Sequence, residues 1–184
     1  MEKRIRVIIA DDHPLLTSGL KLAIGSWEEF ELIGAAADGE ETVELCKREN
    51  PDVVLADIQM PLKSGSEAAE QIKRGRPEIK VIALTTFYDG ETVDAALKAG
   101  CDGFLLKTIE PEKLRESIHL VMSGRSVIDG EAMEELRKLK KAKQRPDFSD
   151  RELELIGYIC GGLSNKEIAE KLSLKPGTVN NMVS

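Results

Sequence analysis

Four short apolar runs in this chain, IIADD, VVLAD, VIALT and GFLLK, each end on residues able to do chemistry: Asp11 and Asp12, Asp57, Thr85 and Lys107. If these runs are strands of one sheet, three carboxylates, a hydroxyl and an ammonium meet at one rim. Three carboxylates packed together repel one another, and one tends to stay protonated unless a cation relieves the repulsion. Oxygen ligands without histidine or thiolate suit magnesium, a small ion that keeps several of its waters. A carboxylate in that setting can accept a phosphoryl group, with Asp57 as covalent nucleophile and with Lys107 and Thr85 sharing the phosphoryl oxygens. Each residue alone has a plainer role: Asp11 and Asp12 as a helix cap, the others as exposed turn or strand-end groups. The joint placement argues for chemistry. His13 reads as structural, because Pro14 beside it fits the first turn of a helix.

The elements that must position these groups can be read from periodicity. Short apolar runs recur at Ile5–Ala10, Leu32–Ala36, Val53–Ala56, Val81–Leu84 and Gly103–Leu106. Between them lie segments with helical spacing, such as Leu16, Leu20 and Ile24, or Leu114, Ile118 and Val121. This alternation predicts an α/β fold, a doubly wound five-stranded parallel sheet with helices on both faces. In such sheets the functional crevice lies at the carboxyl ends of the strands. After Gly124 the texture changes. Glu131–Gln144 is charged, with a thin stripe of Met133, Leu136 and Leu139, and reads as a solvated linker helix stopped by Arg145–Pro146. Residues 148–184 show three helical patches separated by turns, a small all-α unit. The expected organisation is therefore 1–123, a linker over 124–147, and 148–184.

Bulk properties exclude several classes. No run approaches the roughly 18–20 apolar residues of a membrane span, and the N-terminal apolar run is too short for a secretory signal. Three scattered cysteines, Cys46, Cys101 and Cys160, match neither a disulfide framework nor a metal-ligand spacing, which favours the cytoplasm. The net charge of -7 is uneven: residues 1–130 hold 16 basic and 24 acidic side chains, whereas residues 131–184 hold 10 and 9. The acidic part is a poor nucleic-acid binder, and the remainder is at least not repelled by phosphates.

The motifs IIADDHP, VVLADIQMPLKSG, VIALTT and GFLLK, in that order, resemble the receiver domain of bacterial two-component response regulators, a flavodoxin-like fold. The resemblance implies that Asp57 is the phosphoacceptor and that Mg2+ is held by Asp12, Asp57 and the backbone carbonyl of Gln59, with Asp11 nearby. It further implies Thr85 as the switch hydroxyl, Lys107 as the phosphate-pairing lysine and Phe104 as the rotating aromatic of the fifth strand. The stretches FSDRELELI, GGLSNKEIAEKL and LKPGTVNNMVS resemble the helix-turn-helix of NarL/FixJ (LuxR-type) regulators. There the helix near Thr178 enters the major groove. Ser164, Asn165, Lys166, Lys175, Thr178, Asn180, Asn181 and Ser184 take positions that can reach DNA, while Ile168, Leu172, Val179 and Val183 look like core. Relatives commonly carry a lysine at the place of Asn180 and a histidine at that of Met182. The sequence stops within its third helix, so this domain is expected to be incomplete at its C-terminus, as in a trimmed chain.

The resemblance implies a phosphorylation-dependent regulator of transcription rather than an enzyme, catalysing only its own phosphorylation and dephosphorylation. Its expected partners are a sensor histidine kinase, promoter DNA and a second copy of the chain on phosphorylation, with no membrane. Two other readings compete: a stand-alone receiver-type signalling module acting through protein contacts without DNA, and a phosphatase working through an aspartyl intermediate.

Overall fold

The computed structural model describes residues 3–87, 89–143, 154–155, 157–159, 163–174 and 178–179. The first unit alternates strands and helices: β1 (Ile5–Ala10), α1 (Pro14–Gly25), β2 (Phe30–Ala36), α2 (Gly39–Glu49), β3 (Val53–Asp57), α3 (Gly65–Gly75), β4 (Lys80–Thr85), α4 (Gly90–Lys98), β5 (Gly103–Leu106) and α5 (Pro111–Met122). Then come β6 (Val127–Ile128) and α6 (Gly130–Lys143). All strand pairs are parallel, in the order β2-β1-β3-β4-β5-β6.

The strands are near-continuous apolar runs because both faces of the sheet are covered. Alternate side chains serve opposite layers. Ile8, Val54, Ala56, Val81, Ala83 and Phe104 pack with α2, α3, α4 and α6. Val7, Val53, Leu55, Ile82, Leu84 and Leu105 pack with α1 and α5. Local chemistry sets the helix starts. Asp38 and Asp89 accept the N–H groups of Glu41 and Thr92, and Ser64 forms a capping box with Glu67.

The expectation of five strands is corrected to six. Val127 pairs with Gly103 and Ile128 with Phe104, a two-residue strand too short to leave a periodic signal. The helix expected to be a solvated linker is, in its first turns, part of this fold: Ala132 and Leu136 are buried in the same layer as Phe104. A thin stripe suffices because α6 needs to cover only a narrow face. The chain divides into two compact units between Lys141 and Ala142, so the first unit takes in most of α6. In the second unit, α7 (Asn165–Lys171) buries Ile168 and Ala169 in a small cluster with Leu155 and Val179. Among the described residues, no helix is long and apolar enough to cross a membrane.

Candidate phosphoacceptor site

β1 and β3 are adjacent in the sheet, so Asp11, directly after β1, and Asp57, the last residue of β3, come together although 46 residues separate them. Lys107, directly after β5, reaches back across β4 to join them. Its Nζ lies 2.8 Å from Asp11 Oδ2 and 2.8 Å from Asp57 Oδ2. Its backbone N–H donates to the carbonyl of Thr85 at 2.8 Å, which fixes its place at the rim. All three charged side chains are buried: Lys107 is 8% exposed, Asp11 1% and Asp57 3%.

The loop after Asp57 folds back on the same rim. Oδ1 of Asp57 accepts the N–H of Gln59 at 3.1 Å, and the N–H of Gly65 donates to the Ile58 carbonyl at 3.0 Å. A Cβ at Gly65 would lie 2.0 Å from the Asp57 carbonyl oxygen, so the loop closes this tightly only on glycine. Leu62, exposed in the same loop, takes a left-handed conformation at φ 62.

Electrostatics follow from burial. Burial raises the pKa of Asp57 and the charge of Asp11 adds to that, against the opposing pull of Lys107 and the Gln59 N–H. Burial works to lower the pKa of Lys107, but its hydrogen bonds and charge contacts with Asp11 and Asp57 outweigh it and leave the ammonium above its ordinary value. The lysine therefore keeps its proton, and burial makes Asp57 a more basic carboxylate than an exposed one.

The structure brings one more residue to the cluster than the sequence suggested. The N–H of His13 donates to Asp11 Oδ1 at 2.8 Å, and its Nδ1 lies 3.2 Å from that oxygen and 2.9 Å from Asp12 Oδ1. His13 is also the N-cap residue before Pro14, so the structural reading of it holds for the backbone while the ring faces the acids. The available signal was its adjacency to Asp11 and Asp12. Ligand atoms of Asp11, Asp12, His13 and Asp57 all lie within 4.8 Å of one another. Asp11 Oδ2 faces Lys107 Nζ at 2.8 Å and Asp12 Oδ1 faces the His13 ring at 2.9 Å. Converging carboxylates fit a hard divalent cation.

The buried Thr85 hydroxyl donates to the carbonyl of Phe87 at 2.6 Å, in the β4–α4 loop. Phe104 is 0% exposed and packs in the layer that holds α4 and α6.

Comparison with known proteins agrees with this geometry. The family model for the response regulator receiver domain matches residues 7–119, and that for bacterial regulatory proteins of the luxR family matches residues 146–184. The chain belongs to the LuxR-type response regulators. The transcriptional regulatory protein DesR of Bacillus subtilis (strain 168) is 37% identical over 180 residues, covering 98% of this chain and 87% of DesR. The crystal structure of the response regulator ChrA of a heme-sensing two-component system is 30% identical, with a TM-score of 0.65, over 99% of this chain and 88% of that one. A structure of the response regulator RcsB in complex with DNA, 24% identical with a TM-score of 0.68 over 98% of this chain and 88% of that one, shares the fold. This response regulator is thus a regulator of transcription, and a module without a DNA-binding domain is not favoured.

The second unit of the regulator shows some of its expected contact residues. Ser164 caps α7, and its N–H and hydroxyl both donate to the Glu167 carboxylate, at 2.8 and 2.6 Å, so these groups are engaged within the chain. Asn165, Lys166 and Thr178 are exposed, whereas Ile168 and Val179 are core as expected. Lys175, Asn180, Asn181 and Ser184 lie outside the described residues.

Proposed function

We propose that Asp57 accepts a phosphoryl group from the phosphohistidine of a sensor histidine kinase. The observation that carries this reading is the shared contact of Lys107 Nζ with Asp57 and Asp11 at 2.8 Å. An Asp57 oxygen attacks phosphorus, the O–P bond forms as the P–N bond breaks, and the departing imidazole takes a proton from solvent. Lys107, already fully charged beside Asp57, is placed to pair with the added phosphoryl oxygens. Asp12, Asp57 and the Gln59 carbonyl would hold Mg2+, with Asp11 nearby; the ion supplies neutralisation of phosphoryl charge. The site so loaded catalyses only its own phosphorylation and dephosphorylation, and the chain turns over no external substrate.

Thr85 would leave Phe87 and donate to the phosphoryl group while Phe104 rotates inward, and the altered receiver surface would pair two copies on a promoter with two-fold related half-sites. Thr178, Lys166 and Asn165, with Lys175, Asn180, Asn181 and Ser184, would reach that DNA. Shifting a two-state protein from 1:99 to 99:1 takes about 5.5 kcal/mol, which a few charge-assisted bonds at about 1.5–3 kcal/mol each can supply. The free, buried thiols of Cys46 and Cys101 suit a reducing cytoplasm. Incubation with a small phosphodonor and Mg2+, followed by intact mass measurement, tests the reading. A single phosphoryl adduct on the wild type and none on Asp57→Asn is expected; an adduct retained by Asp57→Asn overturns it.

A further inference from the structure

Resting on that reading of the acidic pocket as a cation site, we propose that His13 is a further ligand there, through Nδ1. It gives the site a nitrogen donor that favours borderline divalent ions such as zinc. Carboxylate and carbonyl oxygens suit magnesium, whereas an imidazole nitrogen suits zinc and its transition-metal neighbours. The ring stands among the acids: Nδ1 lies 2.9 Å from Asp12 Oδ1 and 3.2 Å from Asp11 Oδ1. Donors that each sit about 2.0–2.2 Å from one ion are about 3 Å from their neighbours in the shell. These separations therefore suit ligands of a shared cation. With Asp57 included, the four residues bring one ligand atom each within 4.8 Å of the others.

The pocket is open on the side of this ring. Lys107 closes the inner side, where its Nζ takes Oδ2 of both Asp11 and Asp57. Those three side chains are buried, whereas the side chain of Asp12 is 31% exposed and that of His13 65%. A cation arriving from solvent meets Asp12 and His13 first. The His13 backbone is held by three hydrogen bonds. Its N–H donates to Asp11 Oδ1 at 2.8 Å, and its carbonyl accepts the N–H and the hydroxyl of Thr17 at 3.0 and 3.1 Å. Pro14 follows as the first residue of α1 and restricts the chain further. A ligand anchored in this way loses little freedom when it binds. The plainer role for the ring is to hydrogen-bond the acids and screen their charge. Screening weighs alike on all ions of one charge, whereas a nitrogen ligand tells zinc from magnesium.

The test titrates the full chain with Zn2+ and, separately, with Mg2+ by calorimetry, and follows the histidine ring nitrogens by NMR. The chain has 2 histidines, so its ring spectrum is simple. His119, beside Glu29 and Phe30 at the opposite end of the sheet, is the internal control. Zn2+ is expected to shift the ring nitrogens of His13 and leave those of His119 in place. His13→Asn keeps a residue that favours the N-cap position. It is expected to bind Zn2+ about tenfold more weakly or worse, and Mg2+ within about twofold of the wild type. Equal weakening toward both ions, unchanged Zn2+ affinity, or a Zn2+ shift at His119 alone overturns the ligand role and leaves the magnesium site standing. Failure of the wild type to bind either ion more tightly than Asp12→Ala overturns the cation site, and the role of His13 with it.

Discussion

Lys107 Nζ sits 2.8 Å from Asp57 Oδ2, and the same nitrogen sits 2.8 Å from Asp11 Oδ2. One buried ammonium thus serves two buried carboxylates. Removing it leaves both acids without their cation, which in buried pairs costs about 3–5 kcal/mol. Lys107→Met is expected to lower the midpoint of thermal unfolding markedly without divalent cations. Adding Mg2+ should recover more of that loss than it adds to the wild type, because the ion takes over part of the neutralisation. Differential scanning calorimetry with and without Mg2+ reads both effects; equal Mg2+ shifts in the two proteins would contradict the shared-cation account.

Asp12 turns one carboxylate oxygen toward His13 Nδ1, at 2.9 Å, within the acidic cluster. Its proposed role as a metal ligand predicts that Asp12→Ala loses Mg2+-dependent stabilisation. For the wild type, Mg2+ at a hundred times its Kd should raise stability by about 2.7 kcal/mol. Isothermal titration calorimetry and thermal unfolding check it, and retention of wild-type Mg2+ affinity by Asp12→Ala would count against the proposed ligand set.

Gly65 lies against the carbonyl of Asp57, where a methyl group would come within 2.0 Å of the oxygen. Gly65→Ala must shift the backbone at Asp57 or at the head of α3. A cost of about 1–3 kcal/mol in urea unfolding is expected, as for other overpacked sites. The rate of phosphoryl uptake should fall with it, because Asp57 moves relative to Lys107.

Asp102 ties three segments of the first unit together: its carboxylate meets Lys73 Nζ at 2.5 Å and Lys80 Nζ at 3.0 Å, and accepts the Val81 N–H at 2.9 Å. Burial acts to raise its pKa, but the hydrogen bonds from Lys73, Val81 and Lys80, with the charge of Lys73, outweigh burial and leave it lowered. A carboxylate with a lowered folded pKa stabilises above its unfolded value, near 3.9, and loses that contribution as pH falls through the folded value. Asp102→Asn should therefore be less stable than the wild type at pH 6–7, by about 1.5–3 kcal/mol. The gap should close below about pH 4. Urea titrations across that range measure it.

Much of this was legible in advance where local patterns decide structure. The runs ending on Asp11, Asp57, Thr85 and Lys107 are apolar enough to be strands covered on both faces, and their alternation with helical spacing leaves few topologies. Val127–Ile128 was not legible, because two residues carry no period. The burial of Ala132 and Leu136 was hidden too, since α6 is mostly charged and its apolar stripe has meaning only beside α4 and β5. The ring of His13 was read as structural because Pro14 explained the backbone, and nothing local tells which way an imidazole turns.

Residue types and spacing alone determined the strand–helix order, the acids, hydroxyl and lysine at the strand ends, and the two family motifs. Those follow from periodicity and side-chain chemistry, which act over a few neighbouring residues. Tertiary structure alone decided that Lys107 bridges Asp11 and Asp57, that the Thr85 hydroxyl belongs to Phe87, and that α6 rests on Gly90. Those contacts join residues far apart in the chain or depend on ångström-scale fit, and both are set only when strands and helices pack against one another.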